Sequence, residues 1–85
     1  MERLNLGCGT DIKKRYINLD FLDISGLDVK HDLNKFPYPF GENTFDEIYT
    51  SHVLEHLDDL TNVMKELKRI CKDGAKERKV IDKAK

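Results

Sequence analysis

Uninterrupted runs of aliphatic or aromatic residues stop at two or three in this sequence, and it holds only two cysteines and two prolines. Without a long apolar run, no segment reads as a bilayer span or a signal-peptide core. An intracellular, cytoplasmic protein with no membrane partner is therefore the expectation. Cys8 and Cys71 lie far apart and belong neither to a CxxC pair nor to a zinc-ligand spacing, so they read as two buried thiols and give no metal site. A single disulfide between them is the alternative. One sign of charge is not in excess either. Fifteen Lys and Arg against sixteen Asp and Glu leave a net charge of -1, which disfavours nucleic-acid binding through bulk electrostatics. Repeats and low-complexity segments are missing as well.

What is there fits one soluble globular domain: 85 residues, 39% hydrophobic and 36% charged. A chain of this size buries roughly 60–65% of its unfolded surface, so its core is modest. Arg3-Leu4-Asn5-Leu6 alternates polar and apolar and runs into Gly7-Cys8-Gly9, the pattern of a strand entering a tight turn. Residues 16–20, 27–30 and 45–50 are further strand candidates. Residues 36–40, Phe-Pro-Tyr-Pro-Phe, read as a loop, because each proline removes a backbone donor and restricts its neighbour. Leu57, Leu60, Val63, Met64, Leu67, Ile70 and Cys71 recur at helical spacing and predict a helix over 58–72. Asp58 and Asp59 suit its start, Lys68, Arg69 and Lys72 its end, and Gly74 its stop.

Strands separated by crossovers point to a parallel α/β sheet, Rossmann-like and doubly wound, with about four strands in the order 3-2-1-4. The connections between the first three strands are shorter than the dozen or so residues that a crossover usually takes. Helices there must shrink to a turn or two, or give way to loops.

Four features carry chemistry. Gly7 and Gly9 directly after a strand allow a sharp turn and close approach of a ligand, although a plain structural turn explains them equally well. A dinucleotide site calls for a third glycine where Ile12 stands, which disfavours NAD. Asp20 ends the second strand, the place from which an acidic side chain accepts hydrogen bonds from ribose hydroxyls in doubly wound folds. His31-Asp32-Leu33 ends the third strand, and residues 45–57, FDEIYTSHVLEHL, run from a strand through a polar turn towards the helix.

Taken in order, LNLGCG, INLD, VKHDL, the proline-bearing loop, FDEIYTSHVLEHL and LKRICKDG resemble the class I S-adenosylmethionine-dependent methyltransferase family in its shortened "LNLGCG" variety. The resemblance covers residues 3–74 and implies methyl transfer from S-adenosylmethionine to an acceptor that it does not specify. It implies a partial cofactor-binding domain over 1–74, the N-terminal half of that fold, followed by a charged tail over 75–85. By the same resemblance Asn5, Gly7, Cys8 and Gly9 form the methionine side of the site and Asp20 holds the ribose. Asp32, Leu33 and Leu54 lie at the adenine, and Ser51 and His52 face the transferred methyl group. His52 is the candidate general base where the acceptor must lose a proton. Many family members have an acidic residue where Asn5 stands, and Asp73 replaces a proline near the helix end.

Two other readings compete. His52-Val53-Leu54-Glu55-His56 matches H-x-x-E-H, a zinc-hydrolase signature that would need a third ligand downstream. A short sheet also suits a non-catalytic nucleotide-binding or assembly module. The fourth strand, left without a neighbour on its far side, predicts a homodimer through that open edge. Lys79-Val80-Ile81 folding back as a stub strand is the alternative.

Overall fold

A computed structural model describes residues 2–50, 53–72 and 79–82, with the backbone alone for Glu55 and for 79–82. Strand β1, Arg3–Leu6, lies between β2, Ile17–Asp20, and β4, Glu47–Thr50, and β3, Val29–Lys30, pairs with the outer side of β2. All pairings are parallel, with Leu4 opposite both Ile17 and Ile48, and Leu6 opposite both Leu19 and Thr50. The order 3-2-1-4 is the expected one, and the fold is Rossmann-like α/β.

A fifth strand corrects one expectation. β5, Lys79–Asp82, pairs in parallel with β4 from Glu47↔Lys79 to Thr50↔Asp82. The open edge expected on the fourth strand is therefore filled from within the chain, and a homodimer through that edge loses its basis. The stub strand is what forms, inside the stretch that reads as a charged tail. Ladder hydrogen bonds need only backbone, and the β-branched Val80-Ile81 pair suits a strand, so a short segment within a charged stretch can close a sheet edge.

Helix α1, Leu60–Ile70, is the one α-helix among the described residues. It starts two residues later than the sequence predicts because Asp59 caps it, Oδ1 accepting the Asn62 N–H at 3.2 Å. It ends at Ile70, where Cys71 turns extended and bridges to Phe45. Gly74, the expected stop, lies outside the described residues. The buried face of α1 is also rotated from the expected stripe. Val63, Glu66, Leu67 and Ile70 point inward, whereas Leu60 and Met64 are 48% and 43% exposed. Val63, Leu67 and Ile70 join Leu4, Leu6, Leu19, Ile48, Phe45 and Tyr38 in one core cluster.

The opposite face of the sheet shows why the short crossovers need no helix. By register Asn5 and Asn18 are neighbours there, both nearly fully buried. Asn5 Nδ2 donates to Asn18 Oδ1 at 2.9 Å and to the Asp11 carbonyl at 2.7 Å. Asn18 Oδ1 also accepts the Lys13 N–H at 2.9 Å, and its amide group donates to the Lys13 and Tyr16 carbonyls. The 11–16 segment is thus laid on the sheet by side-chain amides, which satisfy backbone groups that a loop would otherwise bury unpaired. Tyr16 continues the cover by donating to Glu47 at 2.5 Å, and Lys13 Nζ sits 4.4 Å over the Tyr49 ring.

Candidate functional site

The carboxyl ends of β1, β2 and β3 open on one side, as they must in a parallel sheet, and the loops that follow them build a cleft of about 420 Å³. The first wall is the turn after β1. Gly7 adopts φ +67° and Gly9 φ +55°, both left-handed, so the chain reverses within a few residues. The Cys8 N–H still reaches across to the Leu19 carbonyl at 2.9 Å, which ties the turn to β2.

Asp20 is the hub of the second wall. It is 8% exposed, and its carboxylate accepts three backbone N–H groups: Gly9 at 2.7 Å on Oδ2, then Phe21 at 2.8 Å and Leu22 at 3.2 Å on Oδ1. Each carboxylate oxygen offers about two acceptor sites, so capacity remains towards the cleft that Asp20 lines. Beside it Phe21 is 59% exposed and lines the same cleft, an aromatic face open to a planar ring.

The third wall is the turn after β3. The His31 N–H extends the ladder to the Asp20 carbonyl at 2.9 Å. Asp32 Oδ1 accepts the Asn34 N–H and the Asp32 carbonyl accepts the Lys35 N–H, each at 2.9 Å. His31 Nε2 meets the Lys35 carbonyl at 2.9 Å, so that nitrogen carries the proton and clips the turn shut. Asp32, Leu33 and Asn34 face the cleft. Asn34 Oδ1 accepts the Asp58 N–H at 3.0 Å and thereby joins this wall to the fourth, made of Val53, His56 and Leu57 at a short 3-10 helix, Leu54–His56.

Of the site residues expected from sequence, the structure brings Gly7, Asp20, Asp32 and Leu33 together around the cleft. Gly9 stands behind them, its N–H occupied by Asp20. Asn5 lies beneath the turn, holding Asp11 and Asn18. Cys8 is buried with its thiol 3.4 Å from the Gly9 carbonyl, and burial, then the nearby Asp20 charge, push the thiol pKa up. It stays protonated at neutral pH and is a packing group. Leu54 is half-buried against the core and is not among the cleft-lining residues. Ser51 and His52 lie outside the described residues, as does the Glu55 side chain, so the H-x-x-E-H reading has only His56 within them. Among the described residues no group of three or more His, Cys, Asp or Glu could hold a metal ion.

Sequence reasoning missed Phe21, Asn34, Val53 and Leu57 as cleft residues, and it weighed His56 only as a metal ligand. A signal existed for the first two. Phe21 directly follows a strand-ending Asp, and Asn34 lies just past the end of β3, where side chains face the crevice of an open sheet.

Among the described residues, those that line the cleft include two carboxylates and neither lysine nor arginine. Such a cleft suits a ligand with hydroxyl donors or positive charge and opposes a phosphate. A family model described as a methyltransferase domain matches residues 4–76. The chain belongs to the class I methyltransferase family. No curated protein matches the sequence. For a methyltransferase the cleft has the right position, because donor and acceptor must be held in contact outside the strand ends. The matched region contains every wall of it. No helix among the described residues is long and apolar enough to cross a membrane.

Proposed function

We propose that this methyltransferase binds S-adenosylmethionine in the cleft and serves methyl transfer from it to a separate acceptor. The observation that carries the reading is the Asp20 carboxylate, buried at the end of β2 with acceptor capacity turned to the cleft. The donor set fits the cofactor. Asp20 accepts from vicinal ribose hydroxyls, and Phe21 and Leu33 offer apolar surface to the base. Asp32 and Asn34 supply polar groups for its edge. Gly7 has no side chain, so Val53 packs directly on the turn and both residues line the cleft. Among the described residues the lining holds Asp20 and Asp32 and neither lysine nor arginine, which matches a ligand that carries a sulfonium and no phosphate.

Bound, the cofactor supplies an electrophilic methyl group on sulfur. This chain's own part is positional: Asp20 and the Asp32–Asn34 wall orient the nucleoside, and Gly7 and Gly9 shape the floor. His52, directly after β4 and Ser51 in the chain, is assigned the proton of the acceptor where that proton must leave in the step.

Calorimetry with S-adenosylhomocysteine tests the reading. The wild-type chain is expected to bind, and Asp20→Ala to weaken binding by roughly 1.5–3 kcal/mol, the range for hydrogen bonds to a charged group. Because Asp20 also holds three backbone N–H groups, a melt of the variant accompanies the titration. Equal affinity in a folded variant removes Asp20 from the site. No binding by the wild type sinks the cofactor assignment itself.

A further inference from the structure

Tyr38 is the largest fully buried side chain among the described residues, yet it belongs to an irregular loop and carries a hydroxyl. That hydroxyl donates to the Leu33 carbonyl at 2.9 Å, in the middle of the cleft's third wall. Burial raises the phenol pKa far above its usual value, so it remains a donor at any working pH. The other end of Tyr38 is gripped by α1. Its N–H donates to Glu66 Oε2 at 2.6 Å, and its carbonyl accepts from Arg69 Nη2 at 3.2 Å. Arg69 in turn holds Glu66 through two nitrogens, at 3.0 Å and 2.5 Å. The ring is fixed as well, edge-on to His31 at 5.6 Å and stacked on Phe36 at 5.4 Å.

From this arrangement we propose that Tyr38 is a positioning residue of the cleft: its hydroxyl, anchored through its backbone to the Glu66–Arg69 pair on α1, sets the Asp32–Asn34 wall for ligand. Asp32 and Asn34 are bonded within their own turn and, through Asn34, to Asp58. None of those bonds fixes the height of the turn above the core. The buried Leu33 side chain and the Tyr38 hydroxyl do, the hydroxyl running from a side chain at 2% exposure to the Leu33 main chain. The effect on ligand rests on the cleft being the S-adenosylmethionine site; the effect on the wall does not.

Tyr38→Phe removes the hydroxyl and leaves the ring and both backbone anchors. Two readouts separate positioning from bulk stability. Amide exchange at Asn34 and Lys35 is expected to accelerate roughly three- to tenfold more than at Leu67, as loss of one hydrogen bond predicts. Affinity for S-adenosylhomocysteine is expected to fall by about the same factor. Ile70→Val, a core change on α1 far from the wall in sequence, serves as the control for a small loss of stability and is expected to leave that affinity unchanged. Acceleration spread evenly over the chain, or equal affinity losses in the two variants, overturns the proposal. So does binding in Tyr38→Phe that matches wild type. Local acceleration at Asn34 and Lys35 with no ligand binding by the wild type leaves Tyr38 as the wall's anchor and sinks the cofactor reading instead.

Discussion

Gly7→Ala is expected to destabilise the chain by about 2–4 kcal/mol, combining roughly 1–2 for a left-handed non-glycine residue with a further overpacking cost. Both components are visible at this position. Its φ is +67°, and a Cβ built there would meet Val53 Cγ2 at 2.5 Å, with Cγ1 and Cβ of the same residue at 3.1 and 3.3 Å. Val53 is β-branched and stiff at χ1, so it cannot swing one methyl away without moving the other into the gap. It must retreat as a whole, and it is packed against the core. Gly9→Ala is the internal control. Gly9 has φ +55° but nothing within 4 Å of an added Cβ, so only the conformational cost of about 1–2 kcal/mol applies. Urea unfolding of the two variants measures the difference. Domains of this kind hold roughly 5–15 kcal/mol in total, so the Gly7 variant should show it as a clear drop in midpoint. Because Gly7 and Val53 both line the cleft, ligand affinity should fall in Gly7→Ala even where the protein stays folded. Equal stability of the two alanine variants would mean that Val53 does not press on the turn.

Much of this was legible in the sequence because it is written locally. Alternation in Arg3–Leu6 followed by Gly7 and Gly9 marks a strand and its turn within seven residues, Asp20 ends the second strand and Asp32 follows the third. Those signals place one side of the cleft. What could not be read is held together by groups far apart in the chain. The apolar stripe predicted for α1 includes Leu60 and Met64, yet Glu66 is buried in their stead. A glutamate counts as solvent-facing until its partners are known, and one of them, the Tyr38 N–H, is 28 residues away. Asn5 and Asn18 were equally opaque. Two polar residues on successive strands look like an exposed face, but their amides pair with each other and with the loop that covers them. β5 was legible only as the alternative to an open edge, because Val80-Ile81 is a single apolar pair within a charged stretch. The walls at Phe21 and Asn34 were readable in principle, being one and four residues past strand ends that the sequence already marks.

The buried Glu66 gives the chain an acid-sensitive clamp. Glu66→Ala is expected to cost about 2–4 kcal/mol at neutral pH, somewhat less than breaking a fully buried pair. Its carboxylate holds the Tyr38 N–H and both Arg69 nitrogens, and the Arg69 side chain is 28% exposed and so partly hydrated. Glu66→Gln is the sharper variant. The amide oxygen can still accept the Tyr38 N–H, while the charge that attracts Arg69 is gone. The Arg69 hydrogen bond is the main cause holding the Glu66 carboxyl below its ordinary range, reinforced by the Tyr38 N–H and opposed by burial. A folded-state pKa below the unfolded one means that the folded chain binds fewer protons in this window. The clamp's contribution is therefore complete above the ordinary glutamate value of roughly 4.3 and is lost as pH falls through the lower folded value. A protonated Glu66 resembles glutamine. Wild type should thus exceed Glu66→Gln by roughly 1.5–3 kcal/mol at pH 7, the value of hydrogen bonds to a charged group, and the gap should close on acidification. Urea midpoints of the two proteins at pH 7 and at successive steps below the ordinary glutamate value measure it. Curves that fall in parallel would show that Glu66 is not the carboxylate through which acid reaches the α1 clamp.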